Sequence, residues 1–305
     1  MRCATSGSRD GDRGYGALVA KTRLSWQRTG SGEPLLLLHG IGTTREDFAV
    51  LGAQLAADFE VLAVDLPGHG QSRPLEGRPS VSALADILEA DLDQLSLPRV
   101  HVLGNSLGAR LALELARRHR ALSVVAIAPS GMGLPPERVY QSMLMGTARV
   151  ALRAARPLIE PLSRSRPGRA LLLAGLRARP GQASEAEARA VKAGFAESDD
   201  FWRTLRWTVL ADVPTGLERI DCPVILAQGT RDWLSAGQTF RYLLTVPGSR
   251  FQALPRAGHA PHSDSADDIV RLVHAATDPS RSQPRASGVG RRDSDTRVPA
   301  AAVRW

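Results

Sequence analysis

Apolar positions fall into two kinds of run along the chain. Short, near-continuous stretches such as Leu35-Leu36-Leu37-Leu38 and Val224-Ile225-Leu226-Ala227 alternate with longer stretches whose apolar residues recur at helical spacing. A short unbroken apolar run bounded by turn residues reads as a strand buried on both faces, as in a parallel sheet. The pattern predicts strands at 22–28 and 35–39 around Gly30-Ser31-Gly32, and further strands at 60–64, 99–104, 123–128, 224–227 and 250–254. Helices are predicted at 46–57, 80–95, 107–119, 236–245 and 266–277. Alternation of this kind implies an α/β fold, a mostly parallel central sheet with helices on both faces.

The alternation stops between residues 129 and 222, a gap far longer than one crossover needs. Its periodicity is helical, at 136–155, 168–177, 184–196 and 200–211, interrupted by Pro157, Pro161, Pro167 and Pro180. A helical block set between two strands reads as a lid over one end of the sheet. The expected division is therefore a core of 17–130 and 217–278, a lid insertion at 131–216, and disordered tails at 1–16 and 279–305.

Composition sharpens this little. The formal charge is +8, but 279–305 hold six Arg and two Asp, and 131–216 hold thirteen basic and eight acidic residues, so the rest is near neutral. An Arg-rich tail and lid account for the excess, and neither nucleic acid nor a membrane is an expected partner. Aromatics are only 5%, too few for a base-stacking platform. Cys3 and Cys222 have no disulfide or metal-ligand spacing. With no apolar run near the roughly 20 residues of a spanning helix and no signal-peptide pattern at the N-terminus, a cytoplasmic protein is expected.

The chemistry concentrates at strand ends. Gly104-Asn105-Ser106-Leu107-Gly108 follows a predicted strand and opens a predicted helix, the context of a nucleophile elbow. Such a turn lifts the serine oxygen above the sheet, and the helix N-terminus offers a free amide to a developing oxyanion. A serine needs a base and an orienting acid. In this arrangement the acid and then the histidine follow downstream. Asp232, after the strand 224–227, is the expected acid; Asp199, Asp200 and Asp212 fall in the lid block and Asp221 precedes the strand. His259, after the strand 250–254, is the expected base, with His262 as the alternative. The backbone N–H groups of Ile41 and Leu107 are the expected oxyanion donors, Gly42 being the alternative to Ile41. His39 and Gly40 are expected to shape that turn. Gly40, Asn105, Met143 and Trp233 are the candidate pocket residues. The helix around Met143 offers apolar surface, and its Arg138, Arg149, Arg153 and Arg156 read as a solvated face. No metal or organic cofactor is expected.

Five motifs in order, at 39–42 (His39-Gly40-Ile41-Gly42), 65–72 (Asp65 to Ser72), 104–108, 229–232 and 258–262, make the chain resemble the lid-bearing α/β-hydrolase superfamily over residues 20–277. The resemblance implies the α/β-hydrolase fold, a Ser-Asp-His triad, and a structural role for the turn Asp65–Ser72. Haloalkane dehalogenases and epoxide hydrolases of the superfamily use an aspartate nucleophile, where this chain has Ser106. Carbon–carbon bond hydrolases of meta-cleavage pathways resemble it at Gly104-Asn105-Ser106, but Ala260 stands where their base is followed by Trp, and Ala109 where they favour Gly. The expected function is hydrolysis of a small or medium acyl ester through an acyl-enzyme. A carbon–carbon bond hydrolase, a perhydrolase or a non-catalytic ligand-binding protein are the alternatives. Physiological substrate and oligomeric state are not readable from the sequence.

Overall fold

Seven strands form one sheet in the order β1-β3-β2-β4-β5-β6-β7, with β1 antiparallel to β3 and every other pairing parallel. The computed structural model describes residues 23–235 and 237–278; the expected tails lie outside them. In chain order the elements are β1 (Trp26–Thr29), β2 (Glu33–Leu38), α1 (Ala49–Leu55), β3 (Phe59–Val64), α2 (Val81–Gln94), β4 (Val100–Asn105), α3 (Leu107–Arg117) and β5 (Ala121–Ile127). A helical segment follows with α4 (Pro135–Ala154), α5 (Arg156–Ser163), α6 (Arg166–Leu172), α7 (Glu185–Val191) and α8 (Phe201–Leu205). The chain then returns to the sheet as β6 (Val224–Gly229), α9 (Gln238–Thr245), β7 (Arg250–Leu254) and α10 (Ala266–Thr277).

Strand side chains alternate between the two faces, so each central strand feeds two cores. Leu36, Leu38, Val102, Val124 and Leu226 pack with residues of α2, α3 and α9. Leu35, Leu37, Leu103, Val125 and Ile225 pack with Leu51 and Leu55 of α1 and with Ile269 and Val273 of α10. This double burial is the reason the strands read as unbroken apolar runs. Among the described residues no helix is long and apolar enough to cross a membrane.

Several elements differ from the periodicity. The expected helix at 46–57 begins as a 3₁₀ turn, Arg45–Phe48, before α1. The prolines at 157 and 161 do not break the segment after α4, since α5 contains both; Pro157 stands in the first turn, where the amide it lacks has no intrahelical partner anyway, and Pro161 lies inside the helix. The helix expected to reach 177 ends at Leu172, and Gly175 takes a left-handed φ of 82° just beyond it. The segments expected as regular helices at 184–196 and 200–211 finish in π-helical turns, Lys192–Glu197 and Arg206–Leu210. In the first of these, Gly194 lies so close to Gly42 and Thr43 that a Cβ would overlap their backbone atoms. The side chain of Arg149 is not on a solvated face: it is buried and donates to the carbonyls of Phe195 and, at 2.7 Å, Ser198. The π turn carries those carbonyls to within reach of α4, which sequence spacing does not reveal.

Candidate active site

Parallel strands deliver their C-terminal ends to one edge of the sheet, and loops beyond that edge are where such folds place ligands. Ser106 stands between β4 and α3 with φ 55° and ψ −110°, a conformation that a side-chain-bearing residue adopts at a cost of about 1–3 kcal/mol. The turn is tolerated because Gly108 lets α3 approach β2: a Cβ there would overlap the Leu38 carbonyl. The Ser106 amide donates to Ile127 O at 2.9 Å, and its carbonyl accepts from Arg110 N at 3.1 Å and Ser130 N at 3.2 Å. The strained residue is thus held on both sides.

Asp232 follows β6 and His259 follows β7. His259 Nδ1 lies 2.9 Å from Asp232 Oδ2. A carboxylate only accepts, so Nδ1 is the donor and Nε2 is the ring nitrogen left free of the carboxylate. Asp232 Oδ2 also accepts from Ser235 Oγ at 2.7 Å and from Gln228 Nε2, and Oδ1 accepts from Leu234 N at 2.8 Å and Ser235 N at 3.2 Å. Burial pushes the Asp232 carboxyl up, but the neighbouring charge of His259 and the hydrogen bonds from His259 and Ser235 outweigh it and hold the carboxyl below the usual carboxylate range. His262, the alternative base, is elsewhere: it is buried against Phe48, with Nε2 3.3 Å from Asp47 Oδ2.

The loop after β2 is braced by two buried histidines. The Gly40 carbonyl accepts from His39 Nδ1 at 2.8 Å, Thr43 Oγ1 at 3.1 Å and Thr43 N at 3.4 Å. His39 Nε2 in turn accepts from Leu66 N at 2.9 Å, and His69 Nε2 from Gly42 N at 3.5 Å. Gly40 O and the Ile41 N–H share one trans peptide plane, so three donors holding the oxygen to one side turn the amide to the other. Both imidazoles accept through Nε2 and are therefore neutral. Burial pushes both down, His69 to about 3 with help from repulsion by His39.

Ser106, His259, Gly40, Ile41, Asn105 and Trp233 line one cavity of about 740 Å³ of non-atom space, partly open to solvent. Leu144, Met145, Ala148, Leu152, Leu172 and Phe195 supply its apolar wall. Leu107 lines a smaller adjoining pocket with Ser106, Ile41 and His259. Asn105 does more than face the cavity: its Nδ2 donates to His259 O at 2.9 Å. Met143 is not a pocket residue. It is 68% exposed on the outer side of α4, because two residues are about 200° of helical rotation and Met145 takes the inner side. Leu172, Gly175 and Leu176 reach the cavity because the chain leaves the helix after Leu172; the glycine at 175 was the sequence signal for that turn. Among the described residues no group of three or more His, Cys, Asp or Glu is placed to hold a metal ion.

Known proteins match this arrangement. A model of the alpha/beta hydrolase family matches residues 35–272. The pimeloyl-[acyl-carrier protein] methyl ester esterase of Chromobacterium violaceum is 30% identical over 249 residues, covering 80% of this chain and 94% of that protein. The dihydrolipoyllysine-residue acetyltransferase component of the acetoin cleaving system of Pseudomonas putida is 34% identical over 143 residues, 46% of this chain but only 38% of that protein. A thermophilic esterase from Thermogutta terrifontis superposes with a TM-score of 0.65 at 21% identity, covering 83% of this chain and 92% of that one. With the matched family model spanning most of β2, all of β3 to β7, the helical segment and the loops that carry Ser106, Asp232 and His259, the chain belongs to the alpha/beta hydrolase family.

Proposed function

We propose that this hydrolase cleaves carboxylic esters through an acyl-enzyme, with Ser106 as nucleophile, His259 as base and Asp232 as the orienting acid. The observation that carries this reading is the strained Ser106 facing the same cavity as His259, whose other ring nitrogen is tied to a buried carboxylate. His259 Nε2 takes the Ser106 proton as the oxygen attacks the ester carbonyl, and Asp232 stabilises the imidazolium. The N–H groups of Ile41 and Leu107 receive the oxyanion; Leu107 opens α3, where an amide has no partner within the helix. The imidazolium then protonates the departing alcohol. Water, activated by His259, attacks the acyl-enzyme and releases the acid.

Among the described residues, His259 is the one ionisable side chain that lines the cavity. An uncharged aliphatic acyl group therefore meets mostly apolar wall, and an acid-bearing chain finds no Lys or Arg among the lining residues. The test is turnover of p-nitrophenyl esters from acetate to laurate by the parent and by Ser106→Ala. Loss of turnover in the variant supports the assignment, and the preferred chain length sizes the cavity. A folded parent with no esterase activity moves the reading to carbon–carbon bond hydrolysis or ligand binding. Full activity in Ser106→Ala overturns Ser106 as nucleophile.

A further inference from the structure

The loop that carries His259 has polar backbone groups that must all find partners, and they divide between two parts of the molecule. The core holds the Ala257 carbonyl, which accepts from Arg231 N at 2.9 Å, and the His259 carbonyl, which accepts from Asn105. The helical insertion holds Ala260. The Ala260 amide donates to Leu176 O at 2.8 Å, and the Ala260 carbonyl accepts from the Arg177 guanidinium. The Gly258 amide donates to Asp264 Oδ2 at 3.0 Å, and the same carboxylate accepts from Ala178 N at 2.7 Å and Arg179 N at 2.9 Å. Asp264 is therefore a bracket between the residue before the base and the lid segment. Gly258 sits against Leu176, Arg177 and Ala178 backbone so closely that a Cβ would lie 2.7–2.8 Å from their atoms.

Arg177 closes the bracket from the other side. Its side chain has no solvent exposure and lies between Asp47 Oδ1 at 2.5 Å and Glu187 Oε1 at 3.1 Å. Asp47 belongs to the turn after the oxyanion loop, and Glu187 to α7, where its other oxygen caps the helix by accepting from Ser184 N at 2.6 Å. A guanidinium placed so cannot leave without stranding two buried carboxylates, an outcome that costs several kcal/mol. Of the immediate neighbours of His259, Ala260 is thus fastened to the insertion directly, and Gly258 through Asp264, which precedes α10.

We infer that Asp264 and Arg177 are positioning residues for His259: the lid segment Leu176–Arg179 is a fixed part of the catalytic support and does not swing away with substrate entry. Substrate then enters through the open side of the cavity, and any movement of the insertion on entry falls to its other elements, such as α4. This rests on His259 being the base.

Asp264→Ala is expected to lower kcat for p-nitrophenyl butyrate about 10- to 100-fold, the effect of misplacing a catalytic group by an ångström or less, while KM moves by less than about threefold. Asp264→Asn, which keeps one carbonyl acceptor, recovers part of the loss. Leu158→Ala, an exposed change on α5 outside the clasp, leaves kcat and KM at parental values. Hydrogen exchange on the parent supplies a test that needs no variant to fold. The amides of Ala178, Arg179, Gly258 and Ala260 are expected to exchange slowly and together. Parental kcat in Asp264→Ala, a change in KM alone, or exchange of these amides as fast as exposed insertion amides each overturns the clasp. If Ser106→Ala retains turnover, the triad itself fails; if Ser106→Ala is inactive while Asp264→Ala is fully active, only the clasp fails.

Discussion

At Asp232 the carboxylate accepts from His259 Nδ1, where an amide in its place could donate instead. The carboxyl stays ionised because His259 and Ser235 outweigh the effect of its burial. Asp232→Asn is expected to reduce kcat by about 10³- to 10⁴-fold with little change in KM, because the amide N–H favours the wrong imidazole tautomer; steady-state kinetics on the preferred ester decide it. His39 tests the other half of the site. It holds the Gly40 carbonyl and accepts from Leu66 N, so His39→Ala leaves a buried donor and a weakened peptide brace. A loss of about 1–3 kcal/mol in urea unfolding is expected, together with a fall in kcat of about 10- to 100-fold from a loosened oxyanion donor. Intact kcat in this variant would mean that the loop holds its plane without the histidine.

Among the elements, α4 carries the sharpest contrast between neighbouring residues. Met145 is buried in the cavity wall, whereas Met143 is out in solvent. Met145→Ala is expected to lower kcat/KM for the longest esters about tenfold, as expected for removing apolar contact with the acyl chain, and Met143→Ala to change nothing. A chain-length series on both variants separates the two positions. The same helix is anchored at its start by Glu137 to Arg241 of α9, at 2.7 and 2.8 Å, and in its middle by buried Arg149. An α4 that moves must therefore bend or shift about these points.

The whole molecule should be acid-sensitive for a reason that lies near the oxyanion loop. His69 is neutral in the fold, with its imidazole pushed down to about 3 from the usual 6.5, and His39 is shifted in the same direction. Between those limits the unfolded chain binds protons that the folded protein refuses, so stability falls as the pH falls from 6.5. Each such proton contributes a slope of about 1.4 kcal/mol per pH unit. Urea unfolding between pH 7 and pH 4 is expected to show this decline, and His69→Gln to flatten it. A stability that is level across that range would place the protonated imidazoles in a folded state with new partners.

How far the sequence reached depends on whether each feature is local. Strand ends, the elbow at Ser106 and the order of Asp232 and His259 were legible, because apolar runs, flanking glycines and chain order are one-dimensional signals. The family followed from five such motifs. Met143 and Met145 were not separable, since helical phase relative to the core is set by how α4 docks. Arg149 read as a surface charge and Arg177 drew no reading, yet the fold buries both, because their carbonyl and carboxylate partners come from segments 10 to 130 residues away. Asp264 gave no signal at all: its partners are backbone amides, which every residue except proline carries, and only the approach of Gly258 to Leu176–Ala178 brings them together. The sequence by itself determined which residues could react; tertiary packing decided which of them share a cavity and which segments pack around His259.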